Sequence, residues 1–358
     1  MREEGMSVKT NPGNFFEDFH LGQEIVHATP RTVTEGDVAL YTSLYGTRFA
    51  LNSSTPFAQT LGLERAPLDS LLVFHIVFGK TVPDISLNAI ANLGYAGGRF
   101  GAIVYPGDTL STTSTVIGLR QNKDGKTGVV YVHSVGVNQR NEMVLEYTRW
   151  VMVRKRDPDA PAPETVVPTL PESVAVEDLV APYRVQPGAY NLAHAGSPYL
   201  WDDYEVGEKI DHVDGVTIEE AEHMQATRLY QNTARVHFNQ HVEKEGRFGR
   251  RIVYGGHIIS LARALSFNGL ANALSIAAIN SGRHTNPSFA GDTIYAWSEI
   301  LAKMEIPGRT DIGALRVRTV AAKDRPCHDF PYQNPDGTYD PSVVLDFDYT
   351  VLMPRRMG

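Results

Sequence analysis

The chain has 358 residues, 42% of them apolar and 21% charged, the balance of a folded globular protein long enough for two ordinary domains. A formal net charge of -8, with no basic stretch to neutralise phosphates, excludes a nucleic-acid partner but leaves room for a local basic spot that holds a small anion. The single cysteine, Cys327, excludes an intrachain disulfide framework and a cysteine-rich zinc site.

In chain order, the start Met1-Arg-Glu-Glu-Gly-Met6 carries acidic residues with no apolar run behind them, so no signal peptide is expected. The segment from Thr32 to Tyr45 opens with threonine and acidic residues, as a helix N-terminus should. The longest apolar run, Leu71 to Phe78, is the counterpart of a helical stripe later in the chain. It is far too short to cross a bilayer, so no membrane contact is expected and the default location is cytoplasmic. Gly94-Tyr-Ala-Gly-Gly-Arg-Phe-Gly101 looks faintly like a phosphate loop but lacks a strand before and a helix after. Strands are expected at residues 109–120, 129–139 and 144–154, with Asp124-Gly125 as a hairpin turn.

Asp157-Pro-Asp-Ala-Pro-Ala-Pro163, followed by Pro168 and Pro171, resists helix and sheet and forms an extended linker. Beyond it, Ile258, Leu261, Ala262 and Leu265 mark one apolar face of a helix. Further strands are expected at residues 293–306, 314–323 and 343–353, with an insertion beginning at Lys323-Asp-Arg-Pro-Cys-His-Asp329 as a surface loop.

The second half repeats the first. Phe19-His-Leu-Gly22-Gln-Glu-Ile25 lines up with Tyr204-Glu-Val-Gly207-Glu-Lys-Ile210, and Thr32-Val-Thr-Glu35 with Thr217-Ile-Glu-Glu220, at an offset of 207 − 22 = 185. Gly107-Asp-Thr-Leu110 matches Gly291-Asp-Thr-Ile294, and Arg99 matches Arg283, at 184. A one-residue deletion explains the difference. The period is far longer than the ~20–50 residues of a solenoid, so it marks a duplicated domain. Each copy, one central helix followed by long antiparallel strands, reads as an α+β domain whose sheet wraps the helix. The expected division is residues 1–156, a proline-rich linker and wrap over 157–198, and 199–358.

This layout resembles the MaoC-like hotdog dehydratases over nearly the whole chain, and the resemblance implies a tandem double hotdog. The family motif is Asp-x-Asn-Pro-(Ile/Leu)-His, in which Asp and His form the catalytic dyad. Asn232-Thr-Ala-Arg-Val-His237 keeps the spacing and the histidine, whereas Thr47-Arg-Phe-Ala-Leu-Asn52 in the first half has neither dyad residue. The resemblance therefore assigns chemistry to the second half, with His237 and Asn232 catalytic, and leaves the first half to shape an acyl-CoA groove. An amide orients a histidine or a water but shuttles no proton, so the acid/base work falls on His237, a water or an unlocated carboxylate. More narrowly, the stretch from Lys9-Thr-Asn-Pro-Gly13 through Leu72-Val-Phe-His-Ile-Val-Phe-Gly-Lys-Thr-Val-Pro83 is similar to the mesaconyl-CoA hydratase branch of that family. That similarity implies reversible dehydration of β-methylmalyl-CoA to mesaconyl-C1-CoA and water, with an acyl-CoA as the partner and no cofactor, since CoA is part of the substrate.

Dehydrating a β-hydroxyacyl thioester removes an α-proton and protonates the leaving hydroxyl. A neutral imidazole does the first and its conjugate acid assists the second. Charge developing on the thioester oxygen needs preorganised donors, and Tyr254-Gly255-Gly256 directly precedes the apolar helix stripe. The amide of Gly255 or Gly256 is the expected donor, glycine letting the thioester approach the main chain. A free substrate carboxylate calls for an arginine: Arg235 inside the motif, or Arg48, or Arg283. His237 and His241 form an i, i+4 pair without a third ligand, so no metal is expected. Competing functions are hydration of other 2-enoyl-CoA chains, thioester hydrolysis by a carboxylate-activated water, and acyl-CoA binding without catalysis. Two halves in one chain already supply the pair that single hotdogs form by dimerising, and a further homodimer stays open.

Overall fold

The computed structural model describes residues 9–186 and 188–356; the N-terminal segment read above for a signal peptide lies outside the described residues. The first half runs β1 (Glu24–Thr32), α1 (Glu35–Tyr45), two short turns α2 (Ala50–Ser53) and α3 (Thr55–Thr60), and the central helix α4 (Ser70–Thr81). Four strands follow: β2 (Ala89–Phe100), β3 (Thr109–Gln121), β4 (Thr127–Val137) and β5 (Met143–Arg154). A connection bearing the short α5 (Leu192–Ala195) leads to the second half. There β6 (Lys209–Thr217), α6 (Glu220–Leu229), the short α7 (Arg235–Phe238) and α8 (Gln240–Glu243), and the central α9 (Gly255–Leu265) repeat the order. Strands β7 (Ser275–His284), β8 (Thr293–Glu305), β9 (Ile312–Lys323) and β10 (Val343–Pro354) complete it.

Local chemistry sets these elements. Thr34 and Asp37 form a reciprocal capping box at the start of α1, and Gly46 ends the helix in the left-handed region. Along most of β3, half-buried and buried positions alternate, the period of a strand with one face on a core. The strands make one sheet in the order β1-β3-β4-β5-β2-β7-β10-β9-β8-β6, every neighbouring pair antiparallel. Alpha helices α4 and α9 share one apolar cluster inside it.

The halves join at β2–β7, where Tyr95 lies opposite Gly282 and Gly98 opposite Ile279. These pairs exchange under the 184-residue offset, so a local two-fold axis passes between the two strands. A Cβ on Gly98 would fall 2.9 Å from Ile279, and one on Gly282 the same 2.9 Å from Tyr95. The glycines of 94–101 thus admit side chains of neighbouring strands, Trp150 over Gly94 among them. The segment is strand β2, not a phosphate loop. On the same axis Tyr45 and Tyr230 meet hydroxyl to hydroxyl at 2.7 Å, and His75 Nε2 meets Ser260 Oγ at 2.9 Å. Each pair is separated by 185 residues.

The connection grips both copies. Val166 bridges to Leu119, the Val174 N–H donates to Asn280 Oδ1 at 3.0 Å, and the Arg184 N–H donates to the Leu61 carbonyl at 3.0 Å. It is a strap across the sheet as well as a wrap on the second half. The 323–343 insertion packs over Trp297, whose indole N–H donates to the Pro331 carbonyl at 2.9 Å, with Cys327 buried beneath it. No helix of the described residues is long and apolar enough to cross a membrane.

Candidate active site

The N-terminus of α9 is the centre of the site. Its N-cap, Tyr254, makes no side-chain cap hydrogen bond, and the N–H groups of Gly255 and Gly256 have no acceptor among the described residues. Free N–H groups at a helix start, backed by the helix dipole, attract negative charge. The first half shows the opposite arrangement. Asp69, at the place of Tyr254 (254 − 185), turns its Oδ1 onto the N–H of Leu71 at 2.8 Å, and Leu71 stands where Gly256 does. One copy plugs its helix start with its own carboxylate, and the other leaves it open.

His237 lies on α7, a helical turn launched by the motif, with its ring 5.6 Å from that of Tyr254. Its Nδ1 hydrogen-bonds the Ile252 carbonyl at 3.0 Å. A carbonyl only accepts, so Nδ1 carries the proton and Nε2 keeps its lone pair. Burial of the ring lowers its pKa to about 4, against the weaker opposing effect of the Ile252 hydrogen bond. The residue keeps part of its surface in solvent, which fits a base at the edge of a cleft. In the first half the same frame survives without the base: Asn52 Nδ2 donates to the Pro67 carbonyl at 3.1 Å, residues 52 and 67 standing 185 before 237 and 252.

Asn232 is 1% exposed, and its Oδ1 accepts the Ala234 N–H at 3.2 Å. That bond builds the turn leading into α7, so the side chain positions the segment carrying His237. Above Gly255 lies His284: a Cβ there would fall 2.4 Å from the imidazole Cε1. The space over the Gly255 Cα, which the sequence reserved for the thioester, is therefore filled by this ring. His284 Nε2 lies 3.3 Å from the Tyr95 hydroxyl. Its pKa is lowered to about 4 by burial and, secondarily, by the nearby His237.

The structure thus brings together His237, Gly255 and Gly256, with Asn232 holding the turn, and adds Tyr254 and His284. The same comparison of halves that exposes His237 against Asn52 also sets Tyr254 against Asp69 and, at 184, His284 against Phe100; that was the available signal. His223 is a further addition, fully buried, with Nε2 3.0 Å from Glu220 Oε2 and Nδ1 without a partner. The three arginines do not gather here. Arg235 is exposed and gives Nη1 to Asn88 Oδ1 at 3.0 Å. Arg48 is exposed with its guanidinium 4.6 Å from the Phe267 ring. Arg283 is exposed on the outer side of β7, its charge acting on Tyr339 of the insertion, because His284 beside it takes the inner side.

A groove of about 390 Å³ runs between the halves, with Lys80 and Pro83 on one wall and Gln231, Thr233 and Phe238, from the His237 segment, on the other. Lys80 donates to Gln231 Oε1 at 2.5 Å, and burial lowers its pKa to about 8. Away from that groove, Pro67, Ser70 and Phe100, the first-half counterparts of Ile252, Gly255 and His284, line a cavity of about 50 Å³ that Val180, Pro182 and Tyr183 of the connection help to enclose. The strap shuts the copy that has lost its histidine.

Comparison with known proteins agrees with this frame. The chain is 89% identical to the β-methylmalyl-CoA dehydratase of Chloroflexus aurantiacus, covering 98% of this chain and 100% of that protein. It is 59% identical to the mesaconyl-CoA hydratase of Cereibacter sphaeroides over 97% of this chain and all of the other. A crystal structure from Chloroflexus aurantiacus, described as a MaoC domain protein dehydratase, superposes with a TM-score of 0.97 over 98% of this chain and 100% of that one at 89% identity. A Mycobacterium tuberculosis protein described as a double hotdog fold superposes with a TM-score of 0.72 at 25% identity, over 96% of this chain and 99% of that one. The fold is a tandem double hotdog, and the profile of one family matches residues 6–330: the chain belongs to the mesaconyl-CoA hydratase family.

Proposed function

We propose that the chain is a hydro-lyase that interconverts β-methylmalyl-CoA with mesaconyl-C1-CoA and water, at a single site in its second half. The observation that carries this reading is the 89% identity over whole length with a β-methylmalyl-CoA dehydratase. The thioester oxygen lies at the free N–H groups of Gly255 and Gly256, where charge developing on it is stabilised by roughly 3–4 kcal/mol per well-placed donor. His237 Nε2 takes the proton from the α-carbon, and the imidazolium so formed gives it to the departing β-hydroxyl, which leaves as water. One group thus returns to its starting state, and a conjugate acid with a pKa near 4 protonates a poor leaving group readily. Asn232 keeps His237 in register, and the groove beside Lys80 takes the CoA arm. No cofactor beyond the CoA of the substrate is needed, and we place the enzyme in the cytoplasm, with a homodimer of the fused chain as its assembly.

The test is spectroscopic: mesaconyl-C1-CoA and crotonyl-CoA are offered separately, and loss of the conjugated thioester absorbance is followed beside a free-thiol assay. Loss of absorbance with mesaconyl-C1-CoA and no thiol release is expected. Thiol release would make the protein a thioesterase, and binding without turnover would make it a carrier; either overturns the proposal.

A further inference from the structure

Arg149 on β5 is fully buried and has no carboxylate partner among the described residues. Its Nη2 donates to Thr81 Oγ1 at 2.7 Å and, weakly, to Ser86 Oγ at 3.4 Å, while Nε and Nη1 are buried with no hydrogen-bond partner among the described residues. The guanidinium lies 4.3 Å from the centre of the Phe78 ring, and the groups its charge acts on are the hydroxyls of Tyr147, Tyr95 and Tyr254. Buried cations are ordinarily paired, and an unpaired one with idle donors calls for a missing partner. Those tyrosines also touch the active site: Tyr254 packs against His237, and the Tyr95 hydroxyl meets His284.

The other half offers a direct comparison. Arg149 faces Val132 across the β4–β5 ladder, as Tyr349 faces Val317 across β9–β10, so Tyr349 holds the place of Arg149. The buried arginine of the second half is Arg263, at the place of Phe78 (263 − 185). Strand and helix have exchanged cation and ring. Arg263 differs in being satisfied: it donates to Ser266 Oγ at 3.3 Å and to the Ala273 carbonyl at 2.8 Å. The charged group it faces is Asp69. The residue at the place of Asp69 that faces Arg149 is Tyr254, which carries no charge to offer.

We infer that Arg149 binds the free carboxylate of a dicarboxylic acyl-CoA and makes the enzyme select such substrates. The inference rests on the function proposed above, in which the acyl group ends in a carboxylate on the carbon bearing the leaving hydroxyl. Two idle N–H donors of a planar guanidinium suit a carboxylate. Contacts link that cation to the proton-transfer end: Tyr95 lies opposite Arg149 across β2–β5, Phe78 packs on both Tyr95 and Tyr254, and Tyr254 packs on His237. Arg235, Arg48 and Arg283 are engaged elsewhere, so none of them competes.

The experiment compares mesaconyl-C1-CoA with tiglyl-CoA, which carries a methyl group in place of the carboxylate, on the full chain with wild type, Arg149→Met and Arg149→Lys. Values of kcat/KM are taken for both thioesters, and tiglyl-CoA is also measured as a competitive inhibitor. For Arg149→Met the preference for mesaconyl-C1-CoA is expected to fall by about 100-fold or more, as for a site whose polar partner is removed. Arg149→Lys keeps the charge but loses the fork, and is expected to retain part of the preference. Equal losses on both thioesters overturn the inference. If Arg149→Met does not fold, Arg149→Lys decides: a fall of about tenfold in the preference supports the inference, and an unchanged preference refutes it. A wild type inactive on both thioesters would refute the proposed function itself, a result distinct from either.

Discussion

Replacing His237 by asparagine separates the chemistry of this site from its scaffolding, because the protein already contains the product of that change. Asn52 occupies the equivalent place in the first half and donates to the Pro67 carbonyl at 3.1 Å, as His237 does to Ile252 at 3.0 Å. The variant is therefore expected to keep its local hydrogen bond and to lose mainly the edge contact with Tyr254, whose ring is 5.6 Å away. Such an aromatic contact is worth about 0.5–1.5 kcal/mol, so the melting temperature should drop by only a few degrees. Activity should fall far more. Removing a general base costs roughly 10²–10⁴-fold, which at ~1.36 kcal/mol per factor of ten is about 2.7–5.4 kcal/mol of transition-state stabilisation. The assay is the initial rate of mesaconyl-C1-CoA hydration, with a thermal melt of the same sample. Its pH dependence adds a second check. Base catalysis needs the neutral ring, whose pKa is near 4, so wild-type kcat/KM should stay level from pH 7 to about 5 and fall below that. A folded variant retaining kcat/KM within tenfold of wild type would refute the assignment of His237 as the base.

Two further expectations concern stability. His75, His212 and His257 are fully buried, and burial depresses all three pKa values, to about 4 for His212, to about 3 for His257 and well below the usual value for His75. Between the unfolded value of ~6.5 and those folded values the unfolded chain binds more protons, so stability is full above pH ~6.5 and falls as the pH drops through the window. Each histidine contributes up to ~1.4 kcal/mol per pH unit, and equal urea midpoints at pH 7 and pH 5 would contradict this. At the joint between halves, Gly98→Ala would place a methyl group 2.9 Å from the Ile279 Cβ and 3.1 Å from its carbonyl oxygen. That overpacking should cost about 1–3 kcal/mol, seen as a lowered melting temperature; an unchanged melt would show that β2 and β7 do not meet as described.

Much of the fold was legible because it rests on local physics repeated twice. A threonine–aspartate cap starts α1, the run from Leu71 to Phe78, apolar but for His75, makes most of α4, and alternation marks the long strands, each effect acting over a few neighbouring residues. Strands β1, β2, β6 and β7 were not read from the sequence; in β2 the glycines read as a loop, because what justifies them, Ile279 and Trp150 pressing on Gly98 and Gly94, belongs to other strands. The insertion likewise read as bare surface, since Trp297 beneath it is distant in sequence.

By itself the sequence determined the duplication, the proline-rich boundary and, through a motif of fixed spacing, the histidine present in only one copy. Only the tertiary structure decided which side chains face that histidine. The two halves dock about a local axis, so Tyr95 of the first half reaches His284, whose charge is felt together with that of His237, and no short-range pattern encodes that meeting. Docking also set the state of each polar group: Asp69 fills one helix start and Tyr254 leaves the other open, and Arg263 finds partners where Nε and Nη1 of Arg149 find none among the described residues. Whether a buried donor is satisfied depends on everything within ~3 Å of it, and that neighbourhood exists only once the chain has folded.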